Sequence, residues 1–135
     1  MIGKEHSIGK VRLFNYKNTE YTGKIKVGDQ RQELDVIFDT GSANVWLNSV
    51  LCDAPGCLNH KQYDSSLSKS FYSLGSDLEV QFGTGKLQGL VNGDNISIGD
   101  IMIKDQQFAE IQNEVGNVFI DVSQLVVFRK FICIV

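Results

Sequence analysis

Asp39 follows three apolar residues, Val36-Ile37-Phe38, and precedes Thr40-Gly41-Ser42. A carboxylate at that junction stands where a buried strand gives way to a turn, at the edge of a dry core. Gly41 permits a tight turn, and backbone N–H groups together with the Ser42 hydroxyl can hold the carboxylate plane. An Asp held in this way is positioned rather than merely solvated. A second glycine-rich stretch, Gln81-Phe82-Gly83-Thr84-Gly85, invites comparison with phosphate-binding loops and fails it. Gly83-x-Gly85-x-x-x-Gly89 misses the dinucleotide spacing by one residue, and Gly85-Lys86 is followed by Leu87 where a phosphate loop needs Ser or Thr. The stretch reads as a hairpin tip, its glycines supplying positive φ, and suits a mobile lid. Cys52 and Cys57 can close a small loop in an oxidising compartment and otherwise stand as free thiols, while Cys133 is left over. His6 and His60 have no companion at metal-ligand spacing, so neither a metal nor another cofactor is expected.

Elements of strand character position these residues. Glu20 to Val27 alternates, Gly28-Asp29-Gln30 is a turn, and Glu33 to Phe38 ends in a continuous apolar run, so a hairpin enters the core and stops at Asp39. From Cys52 to Ser76 the Asp, Asn, Ser and Gly content and the only Pro predict loop, with at most a short helical turn near Asp64-Ser65-Ser66. Leu78 to Phe82, Lys86 to Asn92, Asn95 to Ile98 and Ile101 to Ile111 are further strands, and Asp100, Asp105, Glu110 and Glu114 read as solvated hairpin charges. The fold class is all-β. With 135 residues the chain builds one domain. Its net charge of -3 provides no basic field for nucleic acid. No apolar run approaches the ~20 residues that cross a bilayer, and the first six residues lack the apolar core of a leader. Asn95-Ile96-Ser97 is a glycosylation sequon. The segment from Leu125 to Val135 is apolar apart from Arg129 and Lys130 and differs from everything before it.

The stretch Val36 to Trp46 resembles the first active-site motif of the pepsin-like aspartic proteases, and the resemblance runs from about Val11 to about Val122. Asn15-Tyr16 with Thr19 to Gly23 is similar to the family's opening strand, Cys52 to Cys57 to its first small disulfide loop, and Tyr63-Asp64-Ser65-Ser66 with Ser70-Phe71 to the segment after it. Gln81 to Gly85 is similar to the tip of its flap, a hairpin that folds over bound peptide. The resemblance implies a single lobe of the acid-protease fold, a double-psi-type barrel or sandwich with a flap. It also implies peptide hydrolysis by two aspartates that share one proton and hold a water, because like charges so close cannot both ionise.

Carried residue by residue, Asp39 is then one of the catalytic pair, Thr40 locks the active-site loops, Gly41 permits close approach and Ser42 steadies the outer oxygen of Asp39. Ile37, Phe82 and Phe119 line the pocket before the cleaved bond. Gly83, Thr84 and Gly85 offer backbone groups to an extended peptide. Phe82 departs from the family's usual flap Tyr, whose hydroxyl bonds the indole of the residue matching Trp46; some plasmepsin-like parasite proteases also carry Phe there. The expected Phe-Asp-Gly continuation is absent after Gln124, and no second Asp-Thr-Gly or Asp-Ser-Gly occurs. Residues 1–124 therefore read as an amino-terminal lobe and 125–135 as a divergent apolar tail. The partners implied are a peptide or protein substrate and either a missing carboxy-terminal lobe or a second copy, as in retroviral proteases. An inactive half-lobe that binds peptide or protein is the alternative. The resemblance places the protein in the secretory pathway, secreted or in an endolysosomal or vacuolar compartment.

Overall fold

Ile25 and Val27, and then Leu34 and Val36, alternate with polar residues, and all four are at most 2% exposed. That period of two makes a pair of strands with one buried face. The computed structural model of the chain describes residues 13–16, 20–38, 44–82, 84–116 and 127–128. The strands are β1 (Phe14–Tyr16), β2 (Glu20–Val27), β3 (Gln32–Phe38), β4 (Trp46–Asn48), β5 (Tyr72–Phe82), β6 (Gly85–Ile98), β7 (Ile101–Val115) and β8 (Val127–Phe128). A single turn of helix, α1 (Pro55–Leu58), and a 3-10 turn (Ser65–Leu67) lie between β4 and β5. The all-β expectation holds.

One sheet runs β4-β7-β6-β2-β3-β8, with β1 added to β2 and β5 to β6. Its pairings are antiparallel except for β4 with β7 and β3 with β8, which are parallel. The β2–β3 turn needs its glycine twice over. Gly28 sits at φ +81°, and a Cβ there would lie 2.6 Å from the Ser68 hydroxyl oxygen. Among the described residues, two clusters form the interior. The larger gathers Ile25, Val27, Leu34, Val36, Val45, Leu47, Tyr63, Ile96 and Phe108. The smaller gathers Trp46, Leu87, Ala109 and Ile111, with Leu78 and Val80 packed against it. Successive residues Trp46 and Leu47 thus enter opposite clusters, so β4 is buried on both faces, which is why Val45-Trp46-Leu47 is uninterruptedly apolar.

Several boundaries differ from expectation. β5 begins at Tyr72, and it passes through an irregularity between Ser73 and Ser76, where Gly75 adopts φ +72°. β6 continues through Gly93-Asp94, where the composition predicts a break. Here Tyr72 lies over Gly93, so that a Cβ would meet its ring at 2.1 Å. Asp94 is fully buried and accepts hydrogen bonds from Tyr63 and Ser70 side chains and from the Asn95 N–H. Turn-forming residue types serve there as a bulge and a polar anchor. The 3-10 turn falls where the Asp64 signal predicts, capped by Asp64 on the Ser66 N–H at 3.0 Å. Asp100 and Asp105 are exposed as expected. Glu110 and Glu114 are not solvated charges: they are 2% and 8% exposed.

Candidate active site

Asp39, Thr40, Gly41, Ser42, Gly83 and Phe119 lie outside the described residues, and Phe82 is described in its backbone alone. The flanks of the Asp39 segment are defined. On one side β3 ends at Phe38, and Ile37 and Phe38 pair with Val127 and Phe128 of β8. Phe38 packs against the larger cluster, and Ile37 is half-buried. On the other side Trp46 opens β4, 5% exposed and opposite Ala109 of β7. The Ala109 N–H donates to the Val45 carbonyl at 2.8 Å, so the chain is tied to β7 before the strand formally begins.

β5 and β6 form the long hairpin anticipated around Gly83. Phe82 pairs with Gly85 at the turn end of the hairpin, with Thr84 exposed and Gly85 buried. Gly116, at φ +96°, lies against this tip, where an added Cβ would stand 3.3 Å from the Gly85 Cα. Lower in the hairpin, Leu78, Val80 and Leu87 pack in the cluster that holds Trp46. The structure therefore brings Trp46 together with the tip-proximal half of the hairpin.

The disulfide joins Cys52 to Cys57, both fully buried. It fastens the segment leaving β4. Gln62 Nε2 donates to the Ser49 and Cys52 carbonyls at 2.8 and 2.7 Å, and the Tyr63 N–H donates to the Asn48 carbonyl at 2.7 Å. Tyr63 in turn meets Phe108 edge to face, with ring centroids 5.4 Å apart. Burial, aided by its bond to Asp94, drives the Tyr63 phenol well above its ordinary value.

The two acids that composition misassigns have contrasting surroundings. Glu110 accepts from Ser49 Oγ at 2.7 Å and Asn92 Nδ2 at 2.8 Å, a satisfied buried carboxyl. Glu114 has both carboxyl oxygens buried without a hydrogen-bond partner, and burial pushes it up to about 7. Four residues apart on a regular strand, the two would share a face. They do not, because the β6–β7 register shifts between Gln88 and Gly89: Ile111 faces Gly89, Asn113 faces Gln88 and Glu114 faces Leu87. The extra residue turns Glu114 toward the Trp46 cluster, a displacement that no local sequence signal announces. Among the described residues, no three His, Cys, Asp or Glu side chains gather as a metal site, and no helix is long and apolar enough to cross a membrane.

The family model for eukaryotic aspartyl protease matches residues 20–126. Among curated proteins, the chain is 40% identical over 111 residues to cathepsin E-B of Xenopus laevis, covering 82% of this chain and 28% of that protein. It is 40% identical over 108 residues to cathepsin E of Cavia porcellus, covering 80% and 28%. It is 36% identical over 122 residues to chymosin of Callithrix jacchus, covering 87% and 32%. The chain thus spans less than a third of the length of these relatives. A match over most of its residues, joined to an all-β lobe, a small disulfide loop and a hairpin packed on Trp46, has one reading: the chain belongs to the eukaryotic aspartyl protease family.

Proposed function

We propose that the chain contributes the aspartate Asp39 to an acid endopeptidase, with the second aspartate supplied by a carboxy-terminal lobe. The observation that carries this reading is the packing of the β5–β6 hairpin against Trp46. It sets a flap-like hairpin on the strand that follows the Asp39 segment. Asp39 and its counterpart share one proton and hold a water between them. One carboxylate takes the water's proton as the water oxygen attacks the scissile carbonyl carbon, and the other gives its proton to the carbonyl oxygen. The resulting diol collapses, the C–N bond breaks and a proton passes to the leaving amine. The pair titrates as a whole, so neither role belongs to Asp39 alone.

Thr40, Gly41 and Ser42 hold the carboxylate in this reading. Ile37, Phe82 and Phe119 favour an apolar side chain before the cleaved bond, and Gly83, Thr84 and Gly85 receive the peptide backbone. The Cys52–Cys57 disulfide favours an oxidising compartment, and the likeness to a vacuolar protease A of Arthroderma otae supports a secretory or vacuolar destination. The test is cleavage of an apolar-centred peptide at acidic pH by the longest product of the gene and by its Asp39→Asn variant. Cleavage lost in the variant, with binding of a peptidic transition-state mimic retained, is the expected result. Cleavage equal in both proteins would overturn the assignment of Asp39, and an inert wild type that still binds the mimic would leave a peptide-binding lobe.

A further inference from the structure

Glu114 is the carboxyl group in the described structure whose burial has no compensation. Both oxygens are buried, neither accepts nor donates a hydrogen bond, and the residue is 8% exposed. Register places it in one row across the sheet, Val80 opposite Leu87 and Leu87 opposite Glu114. Residues in such a row share a face, and Leu87 belongs to the cluster of Trp46, Ala109 and Ile111. Two residues further along the chain, Gly116 lies against Gly85 at the hairpin tip. The strand that carries Glu114 therefore supports the hairpin at its third row and touches its tip.

We propose that Glu114 is a positioning residue for the hairpin: neutral, it lets β7 clamp β6 and seat the tip, and ionised, it loosens that clamp. The inference rests on the flap reading of the hairpin for its meaning in catalysis, and on the geometry alone for the motion. A carboxylate without a partner among Trp46, Leu87, Ile111 and Val80 must draw in water, and water enters by parting the Leu87–Glu114 row. Among the described residues, no charge on that face opposes this. β4 contributes Trp46 and Asn48, β5 contributes Leu78 and Val80, and β6 contributes Leu87 and Gly89. The nearest cation on β6, Lys86, belongs to the opposite face and pairs with Glu79 at 3.5 Å, and Glu110 is held by Ser49 and Asn92 on that opposite side. Burial holds the Glu114 carboxyl up near 7, so the change falls between mildly acidic and neutral pH. An acid protease so equipped would have a seated flap where its aspartate pair works and a loosened one outside that range.

The test is hydrogen–deuterium exchange on the intact gene product from pH 5 to 8, corrected for intrinsic exchange, in wild type, Glu114→Gln and Glu114→Met. No proteolytic activity is needed, so its failure is separate from failure of the protease reading. In wild type, protection of amides 85–88 and 113–116 is expected to fall at least tenfold with a midpoint near 7, while both variants keep it flat. Flat protection in wild type, or an undiminished fall in a folded variant, overturns the proposal. Should both variants fail to fold, the carbon-13 titration of the Glu114 carboxyl in wild type decides: a midpoint above about 6 supports the proposal and one below it overturns it.

Discussion

Tyr63 donates its hydroxyl to a carboxylate oxygen of Asp94 at 2.6 Å, with both side chains fully buried. The bond ties the segment after the disulfide to the middle of β6. Asp94 also accepts from Ser70 Oγ at 2.5 Å and the Asn95 N–H at 2.7 Å, so losing the phenol leaves it partly satisfied. Tyr63→Phe is expected to cost about 2 kcal/mol by urea denaturation, the worth of one charge-assisted bond. Asp94→Ala strands the buried Tyr63 hydroxyl and removes the Ser70 and Asn95 bonds with it, and should cost more, about 3 kcal/mol or above. Equal losses in the two variants would show that Asp94 is not the hub.

Gly89 and Gly93, both on β6, separate backbone crowding from side-chain crowding. A Cβ at Gly89 would stand 2.1 Å from the Glu110 carbonyl oxygen, which cannot move without breaking the β6–β7 ladder. At Gly93 the obstacle at the same 2.1 Å is the Tyr72 ring, the end of a side chain that can swing away. Gly89→Ala is expected to lose about 3 kcal/mol and Gly93→Ala about 1 kcal/mol. Adding Tyr72→Ala should recover most of the Gly93→Ala loss and none of the Gly89→Ala loss, a coupling that a double-mutant cycle measures.

Much of this was legible in the residues because it rests on local patterns. Period-two burial gave the β2–β3 hairpin, the run Val36 to Phe38 gave a strand ending before Asp39, and the glycines about Thr84 gave a hairpin tip. The Cys52–Cys57 spacing allowed the small loop that the structure closes. What escaped depends on pairing between distant segments. Gly93-Asp94 reads as a turn because its partners, Tyr72 for the glycine and Tyr63 and Ser70 for the carboxylate, lie more than twenty residues away. Glu114 reads as a solvated charge because an alternating strand puts it beside Glu110, and only the register shift at Gly89 turns it inward. The assignments of Asp39, Thr40, Gly41, Ser42, Gly83 and Phe119 come from motif resemblance, and these residues fall outside the described structure.

The disulfide closes a loop of five residues' separation, so its entropic contribution is small, about 2 kcal/mol in the chain-entropy picture. Its position matters more than its size. Gln62 bonds the Cys52 and Ser49 carbonyls, and Val50 and Tyr63 exchange backbone bonds with this segment. Replacing Cys52 and Cys57 by Ala is expected to lower the thermal midpoint by several degrees. Faster hydrogen exchange should be confined to residues 49–63, with β2 and β3 unchanged. Exchange that rises evenly over the whole sheet would show that the loop is integral to the global fold.

Stability should decline as pH rises through the range of Glu114. Its carboxyl titrates at 4.5 in an open chain and near 7 when folded. Between those values the folded chain holds a proton that the unfolded chain has released, so raising the pH favours unfolding. The contribution is intact below 4.5, diminishes across the window and is gone above about 7. Its size is on the order of 2 kcal/mol, since moving a titration midpoint by one pH unit corresponds to about 1.4 kcal/mol and partial hydration reduces the whole. Glu79 has the opposite tendency: Gln88 and Lys86 hold it low, so what it adds at neutral pH is lost in strong acid. Comparing wild type with Glu114→Gln by denaturant titration at pH 4.5, 6 and 7.5 isolates the one group. The variant should match wild type at the lowest pH and exceed it at the highest, whereas parallel curves across the series would mean that Glu114 ionises as an ordinary surface acid.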